Sequence, residues 1–313
     1  MLTPSPRGDV SAAVLEALRT GTAPPTVRAA DASGDDDLHL ALWVLFELSY
    51  RGFEDVDERR EWDPDLIAVR RSLEDAFEAE LRERCTPTPV GDDVATAIFA
   101  MCETDDGPSL ATHVQRHATR EQVEQLLAIR SVYHLKEQDP TAWVVPRLGA
   151  GPKAALLELQ FDEYGNGDPN RLHHHLFAQG MEAAGLDPKY GAYVDQTPAE
   201  ALAQNNAMSM FGLQRRLRGA ALGHLAAFEA TSSLPSRRMA QGLERLDFPA
   251  AMIGYYTEHV EADAVHEQLA ARTICGALLD DDPHLREDVL LGAAVCLDLE
   301  NRLAERLLAE WAA

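Results

Sequence analysis

Helical periodicity runs through almost the whole chain and stops only at short segments rich in proline or glycine. The segment LHLALWVLFELSYRG at 38–52 is apolar around most of its circumference, which is typical of a helix buried on all sides. Apolar runs short enough to be strands, such as Trp143–Val145, lie beside prolines. We therefore predict an all-α fold. The expected helices lie near 10–20, 38–52, 64–84, 92–103, 108–118, 119–138, 152–164, 170–184, 197–231, 235–248, 249–273 and 283–313.

Composition and charge restrict the partners of the chain. With 46% hydrophobic residues it can bury a large core, and 28 basic against 52 acidic residues leave a formal charge of -24. This charge repels nucleic acid and anionic membranes. No apolar run approaches the roughly 20 residues that span a bilayer, and the start MLTPSPRGDV lacks a signal sequence, so we expect a cytoplasmic protein. The four cysteines show no metal-site spacing and are expected to be buried apolar residues.

The most informative motif is HxxxDxxH, formed by His259, Asp263 and His266 within a segment of helical pattern. Positions i, i+4 and i+7 of a helix fall within about 60° of one another, so two imidazoles and a carboxylate share one face. A solvated helix face is the alternative, because the same segment carries several other glutamates. A metal site therefore requires further ligands from other helices.

Three more segments offer such ligands. Glu137 lies before a proline stop, at a helix end where the dipole does not favour a carboxylate. Glu163 precedes a glycine-rich break, after which His173 opens a run of three histidines, of which one or two can point inward. For Glu137 and Glu163 an ordinary surface position remains open. Glu229 lies among apolar and small residues, where a glutamate is seldom buried unless it is paired or bound to metal.

Together these residues form a ligand set of four carboxylates and three imidazoles, without a thiolate. Such oxygen-rich ligation suits iron or manganese better than structural zinc, and it supplies enough groups for two ions. The paired Glu-x-x-His motifs of ferritin-like bundles are missing from this sequence. The candidate metal ligands are Glu137, Glu163, His173, Glu229, His259, Asp263 and His266.

The ligand pattern resembles that of the haem-oxygenase-like di-iron oxidases, often described as iron-containing redox enzymes. The spacings are 26 residues from Glu137 to Glu163, 10 to His173, 56 to Glu229 and 30 to His259, similar to those of the N-oxygenating branch. The resemblance covers residues 119–313. It implies a haem-oxygenase-like helical bundle there, preceded by an N-terminal helical extension at 1–118.

The resemblance also implies a cofactor and a chemistry: two Fe(II) ions, with O2 as co-substrate. It suggests Glu137, His173 and His266 on one iron, Glu229, His259 and Asp263 on the other, and Glu163 between them. We expect a small-molecule substrate, an aliphatic amino acid or similar small carboxylate, oxidised by C–H abstraction that leads to desaturation or cyclisation in specialised biosynthesis. An external electron donor and a homodimer are compatible with this hypothesis. N-oxygenation of an amine and a metal-free helical binding or scaffold protein remain alternatives.

Residues near the proposed ligands are candidates for substrate binding. Arg215, Arg216 and Arg218 precede Glu229, and a guanidinium can hold a carboxylate through two hydrogen bonds. The alternative is an exposed face that pairs with the abundant acids of this chain. Tyr256 is a further substrate-binding candidate. Other neighbours are candidates for hydrogen bonds to the ligands, Tyr164 and Tyr255, or for a core histidine, His224.

Overall fold

The computed structural model describes residues 1–87 and 91–313, except for the side chains of residues 261–265. Within these residues the regular structure is helical and contains no strand, which confirms the all-α prediction. No helix in this part of the chain is long and apolar enough to cross a membrane. The α-helices are α1 (Asp9–Thr20), α2 (Asp35–Glu47), α3 (Pro64–Arg84), α4 (Val94–Thr104), α5 (Leu110–Arg116), α6 (Arg120–His134), α7 (Asp139–Ala142), α8 (Ala150–Glu163), α9 (His173–Ala183), α10 (Ala199–Leu213), α11 (Arg218–Ala230), α12 (Ser233–Arg245), α13 (Ala250–Gln268), α14 (Cys275–Asp281) and α15 (Arg286–Ala312).

Local sequence explains where several helices begin. Asp63 caps α3 by accepting hydrogen bonds from the backbone N–H groups of Asp65 and Leu66. At α6 the side chains of Thr119 and Gln122 form a reciprocal capping box. These caps satisfy backbone donors that would otherwise lack a partner in the first helical turn.

Two glycines allow α11 and α15 to pack closely at the centre of the bundle. A β-carbon at Gly223 would overlap the backbone of Val289, and a β-carbon at Gly292 would overlap the backbone of Ala220. Side chains larger than hydrogen would force the helices apart. The contact therefore fixes the position of α11, the helix that carries Glu229 near its C-terminal end.

The N-terminal helices share a hydrophobic core with the rest of the chain. As predicted, α2 is buried around most of its surface, including Leu40, Trp43 and Phe46. These residues belong to one continuous apolar cluster with side chains of α10, α11 and α15. This core extends across the predicted boundary between residues 1–118 and 119–313. The division into two domains therefore stays a prediction.

A buried ion pair also crosses this division. Lys136 Nζ lies 3.2 Å from Glu47 Oε2, and the two side chains are 2% and 0% exposed. The Tyr190 hydroxyl donates a hydrogen bond of 2.7 Å to the same carboxylate. Arg51, just after α2, donates to the Leu135 carbonyl at 2.9 Å. The N-terminal helices thus hold the turn that follows α6.

Helix boundaries differ from the prediction at this turn. The helix expected over 119–138 ends at His134, and Glu137 lies in the turn between α6 and α7. Pro140 explains the stop, since its ring would clash with the Lys136 carbonyl four residues earlier in a continuous helix. Glu137 is therefore presented by a turn and not by a helix.

The segment expected to be one helix over 197–231 is divided into α10 and α11. Gln214 has an extended backbone, with φ -102° and ψ 112°. Arg147 donates to the carbonyls of Gly212 and Leu213, so the last carbonyl groups of α10 are bound by a distant side chain. Further along, α13 continues into a π-helical turn at Leu269–Ile274 before α14, where the sequence predicts the helix to end.

Removing one partner of the buried Lys136–Glu47 pair should destabilise the fold. Lys136→Met leaves the Glu47 carboxylate buried and unpaired, and we expect the free energy of unfolding in urea to fall by about 3–5 kcal/mol. The double variant Lys136→Met/Glu47→Gln removes both charges and keeps an acceptor for Tyr190, so it should recover most of the loss. As the control, Arg71→Met removes an exposed partner of Asp75 and should change stability little. A double variant no more stable than Lys136→Met would contradict this account.

Candidate metal centre

Three carboxylates and three imidazoles meet in the interior of the bundle. Each comes from a different position in the fold: the turn after α6, the last residue of α8, the first residue of α9, the C-terminal end of α11, and two turns of α13. All six side chains are buried. They are Glu137, Glu163, His173, Glu229, His259 and His266.

The glycine-rich break after α8 lets two of these ligands come together. Gly165 and Gly167 have φ of 74° and 84°, values that favour glycine, and Asn166 between them has φ of 55°. The chain turns at these residues. His173 Nδ1 consequently lies 2.9 Å from Glu163 Oε2.

The six residues form two clusters that share Glu163. In the first cluster the ligand atoms of Glu137, Glu163, His173 and His259 lie within 4.8 Å of one another. In the second, those of Glu163, Glu229 and His266 do so. One carboxylate common to two clusters is the arrangement expected of a bridging ligand. The seventh predicted ligand, Asp263, lies outside the described side chains.

Two ring nitrogens show that the clusters fit a metal. His173 Nδ1 and His266 Nδ1 are buried and face carboxylate oxygens, the first 2.9 Å from Glu163 Oε2. His266 Nδ1 lies 3.2 Å from Glu163 Oε1 and 3.6 Å from Glu229 Oε2. A proton shared with the carboxylates satisfies these nitrogens in the metal-free protein, and a cation bound between the same groups would take its place.

The clusters correct the division of ligands that the resemblance suggested. His259 lies with Glu137 and His173, its Nε2 3.5 Å from Glu137 Oε1, whereas His266 lies with Glu229. The split suggested by the resemblance had placed His266 with Glu137 and His173, and His259 with Glu229. Because a helix rises about 1.5 Å per residue, the two imidazoles lie about 10 Å apart along α13. His259 therefore reaches Glu137, and His266 reaches Glu229.

Hydrogen bonds fix the orientation of both α13 imidazoles. His259 Nδ1 lies 2.8 Å from the Tyr255 carbonyl, so this nitrogen donates and Nε2 faces Glu137. His266 Nε2 lies 2.9 Å from Asp162 Oδ2, which turns Nδ1 toward Glu163 and Glu229. Sequence reasoning missed Asp162 as an orienting carboxylate. Its position directly before a proposed ligand and a glycine-rich break was also consistent with a surface turn.

A tyrosine and a histidine surround Glu137. The Tyr255 hydroxyl lies 3.2 and 3.3 Å from the two Glu137 oxygens and 2.8 Å from His134 Nδ1. Tyr255 therefore contacts a ligand, as predicted. Tyr164 instead donates to Asp139 at 3.0 Å. His134 is a second residue that sequence reasoning missed, although it precedes Glu137 by three positions.

The predicted arginine cluster lies away from these carboxylates. Arg216 donates to Glu78 at 2.8 Å, Arg218 donates to Asp282 at 2.7 Å, and Arg215 is exposed. Eleven residues of α11 separate Arg218 from Glu229, a rise of about 16 Å. Arg216 and Arg218 thus pair with acids of this chain, which is the alternative explanation.

The two remaining candidates are buried. The ring of Tyr256 packs 5.1 Å from that of Tyr255 and lies 6.4 Å from that of His134. His224 is a core histidine, as expected, and burial lowers its pKa to about 4.

Electrostatics make the two clusters unequal in the metal-free protein. Burial alone would lower the pKa of His266, but Glu163 and Glu229 outweigh it and raise that pKa to about 11. Burial raises the pKa of Glu229. By contrast, His134 and His259 overcome burial and hold the pKa of Glu137 well below its ordinary value. The Glu229–His266 cluster therefore holds a proton at neutral pH that a metal must displace.

Fold and site together define a class: all-α bundles with a buried, carboxylate-rich centre suited to iron. The model of the family described as iron-containing redox enzymes matches residues 124–301, and the chain belongs to this family. Its fold is similar to the crystal structure of a CADD-like protein of unknown function from Nostoc punctiforme, with a TM-score of 0.51 and 17% identity over 76% of this chain and 97% of that one. No curated protein matches the chain in sequence.

The Asp162–His266 hydrogen bond should tune metal affinity. Carboxylates that orient a metal-bound histidine contribute about 10–100-fold to affinity, so Asp162→Asn should weaken Mn(II) binding at the cluster that contains His266 by that factor in equilibrium dialysis. Glu158→Gln, on the exposed side of the same helix, is the matched control and should bind normally. Equal affinities for both variants would rule out this role.

Metal binding should release protons. Since the pKa of His266 is raised to about 11 in the metal-free protein, its imidazole is protonated at neutral pH and must lose the proton to bind a cation. Affinity should rise with pH, because protons and metal compete. Titration calorimetry with Mn(II) in buffers of different ionisation enthalpy measures the release. His266→Gln should release fewer protons at the remaining cluster, and heats independent of the buffer would contradict the expectation.

Proposed function

We propose that this protein is a non-haem di-iron oxidase that uses O2 to oxidise an aliphatic amino acid or a similar small carboxylate. The observation that carries the proposal is the position of Glu163, whose carboxylate belongs to both ligand clusters. A single metal site in the first cluster would not need the buried side chains of Glu229 and His266 as well. Membership of the iron-containing redox enzymes supports iron and an oxidoreductase function.

The described side chains supply a prearranged set of ligands. Glu137, His173 and His259 would hold one ion, Glu229 and His266 the other, and Glu163 both. Bound Fe(II) supplies the electrons that activate O2. Reducing O2 to water takes four electrons, and removing a hydrogen pair from the substrate provides two, so an external donor supplies the rest.

The residues around the ligands keep this geometry and limit access of water. Tyr255 can donate its hydroxyl proton to Glu137 or to His134, which holds the carboxylate in place. The aromatic ring of Phe177 packs 4.9 Å from that of Tyr255 and 4.7 Å from that of His134. Aromatic packing that excludes water from these side chains strengthens the interactions between charges and suppresses side reactions.

Iron loading tests the two-site arrangement. After anaerobic loading, the wild-type protein should hold about two Fe(II) ions per chain, His259→Ala and His266→Ala about one each, and Glu163→Ala fewer than either. His175→Ala is the control, because this side chain bonds to Gln179 outside the clusters. A wild-type protein that retains no stoichiometric iron would be a metal-free binding or scaffold protein instead.

Substrate oxidation is tested separately. The iron-loaded protein should consume O2 faster in the presence of one member of an amino acid panel, and mass spectrometry should show a product that lacks a hydrogen pair. His266→Ala should abolish this product, whereas His175→Ala should not. Addition of an oxygen atom to the amine would identify N-oxygenation and overturn the C–H abstraction proposal.

A further inference from the structure

One surface of α12 carries free positive charge on a chain that is strongly acidic. Most arginines of this chain lie beside a carboxylate, as Arg71 does with Asp75. The arginines whose side chains make neither an ion pair nor a hydrogen bond with a described residue are Arg116, Arg215, Arg237 and Arg238. The last two are adjacent on α12, so their charges reinforce each other. Together they give the acidic chain a local positive surface.

The two arginines share one side of α12 with an exposed leucine. Leu234 is 53% exposed and precedes them by three and four positions, which places the three side chains on one face of the helix. Arg237 is exposed and Arg238 is half-buried. The acid of α12, Glu244, comes six residues after Arg238, a rise of about 9 Å. We call Leu234, Arg237 and Arg238 the α12 patch.

Hydrogen bonds join the start of α12 to α11 and α13, two helices that carry metal ligands. The Ser232 hydroxyl donates at 2.6 Å to the carbonyl of the residue that precedes Glu229. The Ser233 hydroxyl donates at 3.3 Å to the carbonyl of the residue that follows His259. Leu234 is the next residue of α12. A few covalent and hydrogen bonds therefore connect the α12 patch to a ligand of each cluster.

We propose that the α12 patch docks a small acidic protein that carries a one-electron redox centre. The proposal rests on the oxidase function and names the electron donor that this function requires. Dioxygen, the hydrogen pair of the substrate, two electrons and two protons give two molecules of water, so two electrons must enter from outside. Each docked carrier is oxidised by one electron, and two docking events balance one turnover. The protons come from solvent.

Charge complementarity selects an acidic partner. With a formal charge of -24, the chain repels an acidic protein over most of its surface, whereas a basic protein would be attracted to many places on it. An acidic partner is accepted where cations are free. Its carboxylates can bond to Arg237 and Arg238 without displacing an acid of this chain. Repulsion elsewhere then favours one docking orientation, with the carrier beside the metal centre.

The small size of the α12 patch suits a carrier that must leave after each transfer. Weak electron-transfer complexes bury less than about 1,200 Å² in total, and their centre is apolar with a polar rim. Leu234 supplies the apolar contact, and the arginines supply the charged rim. An interface of this kind is steered by charge and dissociates quickly.

Binding of a plant-type ferredoxin, an acidic protein with a [2Fe–2S] cluster, tests the docking surface without turnover. Titration calorimetry on the metal-free and the Mn(II)-loaded protein should show a complex that weakens as salt rises. Arg237→Glu/Arg238→Glu should weaken this complex by at least about tenfold, whereas Arg237→Lys/Arg238→Lys should keep most of the affinity. A protein that forms no salt-dependent complex with ferredoxin would overturn the proposal.

A matched control separates the α12 patch from overall charge. Arg59→Glu/Arg71→Glu makes the same change in net charge at two exposed side chains in the N-terminal part of the chain. At physiological ionic strength charges beyond about 8 Å are largely screened, so this variant should bind ferredoxin nearly as well as the wild type. Equal weakening in both charge-reversal variants would overturn the proposal.

Stopped-flow absorption measures electron delivery. Reduced ferredoxin should reduce the ferric protein in a second-order reaction, and Arg237→Glu/Arg238→Glu should lower its rate constant by at least about tenfold. Dithionite needs no docking, so it should reduce the wild type and the variant at similar rates. Iron content and circular dichroism should also be unchanged. A wild-type rate with ferredoxin in the charge-reversal variant would contradict the proposal.

The outcomes also distinguish this surface from the oxidase function. Ferredoxin binding that depends on Arg237 and Arg238, in a protein that oxidises no member of the amino acid panel, would support the surface and remove the oxidase. Amino acid oxidation driven by reduced ferredoxin at the wild-type rate in Arg237→Glu/Arg238→Glu would support the oxidase and overturn the surface.

Discussion

Burying three carboxylates in one place is the constraint on which this structure depends. Each carboxylate loses its hydration in the core, at a cost of several kcal/mol unless opposite charge or hydrogen bonds replace the water. Glu163 shows how this cost is offset, because His173 faces one of its oxygens and His266 faces the other. With carboxylates on one side and ring nitrogens on the other, the gap between them is suited to a cation. The arrangement of the surrounding helices follows from the need to bring these groups together.

The ends of helices position several of these ligand groups. A turn presents Glu137, a helix ends on Glu163, and another begins on His173, so these side chains depend on where helices stop. Glu229 is likewise the penultimate residue of α11, and α13 is the helix that contributes two of the described side chains. Contacts with the N-terminal part of the chain hold the turn that carries Glu137. They are the ion pair between Lys136 and Glu47 and the hydrogen bond from Arg51 to the Leu135 carbonyl. The N-terminal segment is thus part of the support of the centre.

The parts of this site that follow from local rules could be predicted from sequence. His259 and His266 share a helix face because of the helical period, and Glu229 is buried because its neighbours are apolar. The break at Gln214 could not be predicted, since it depends on Arg147, which lies 67 residues away in sequence. For the same reason the partners of Arg216 and Arg218 could not be predicted, since Glu78 and Asp282 are close to them only in the folded chain. The role of Asp162 likewise becomes visible once α13 packs against α8.

Two ion pairs near the centre show how accessibility decides what a charge pair can do. Lys136 and Glu47 are almost fully buried, and Tyr190 completes the bonding of that carboxylate, so nothing can enter between them without a large loss of stability. Arg130 and Glu300 form a bidentate pair, but their side chains are 16% and 33% exposed, so water screens their attraction more strongly. The first pair is suited to hold a ligand-bearing turn in place.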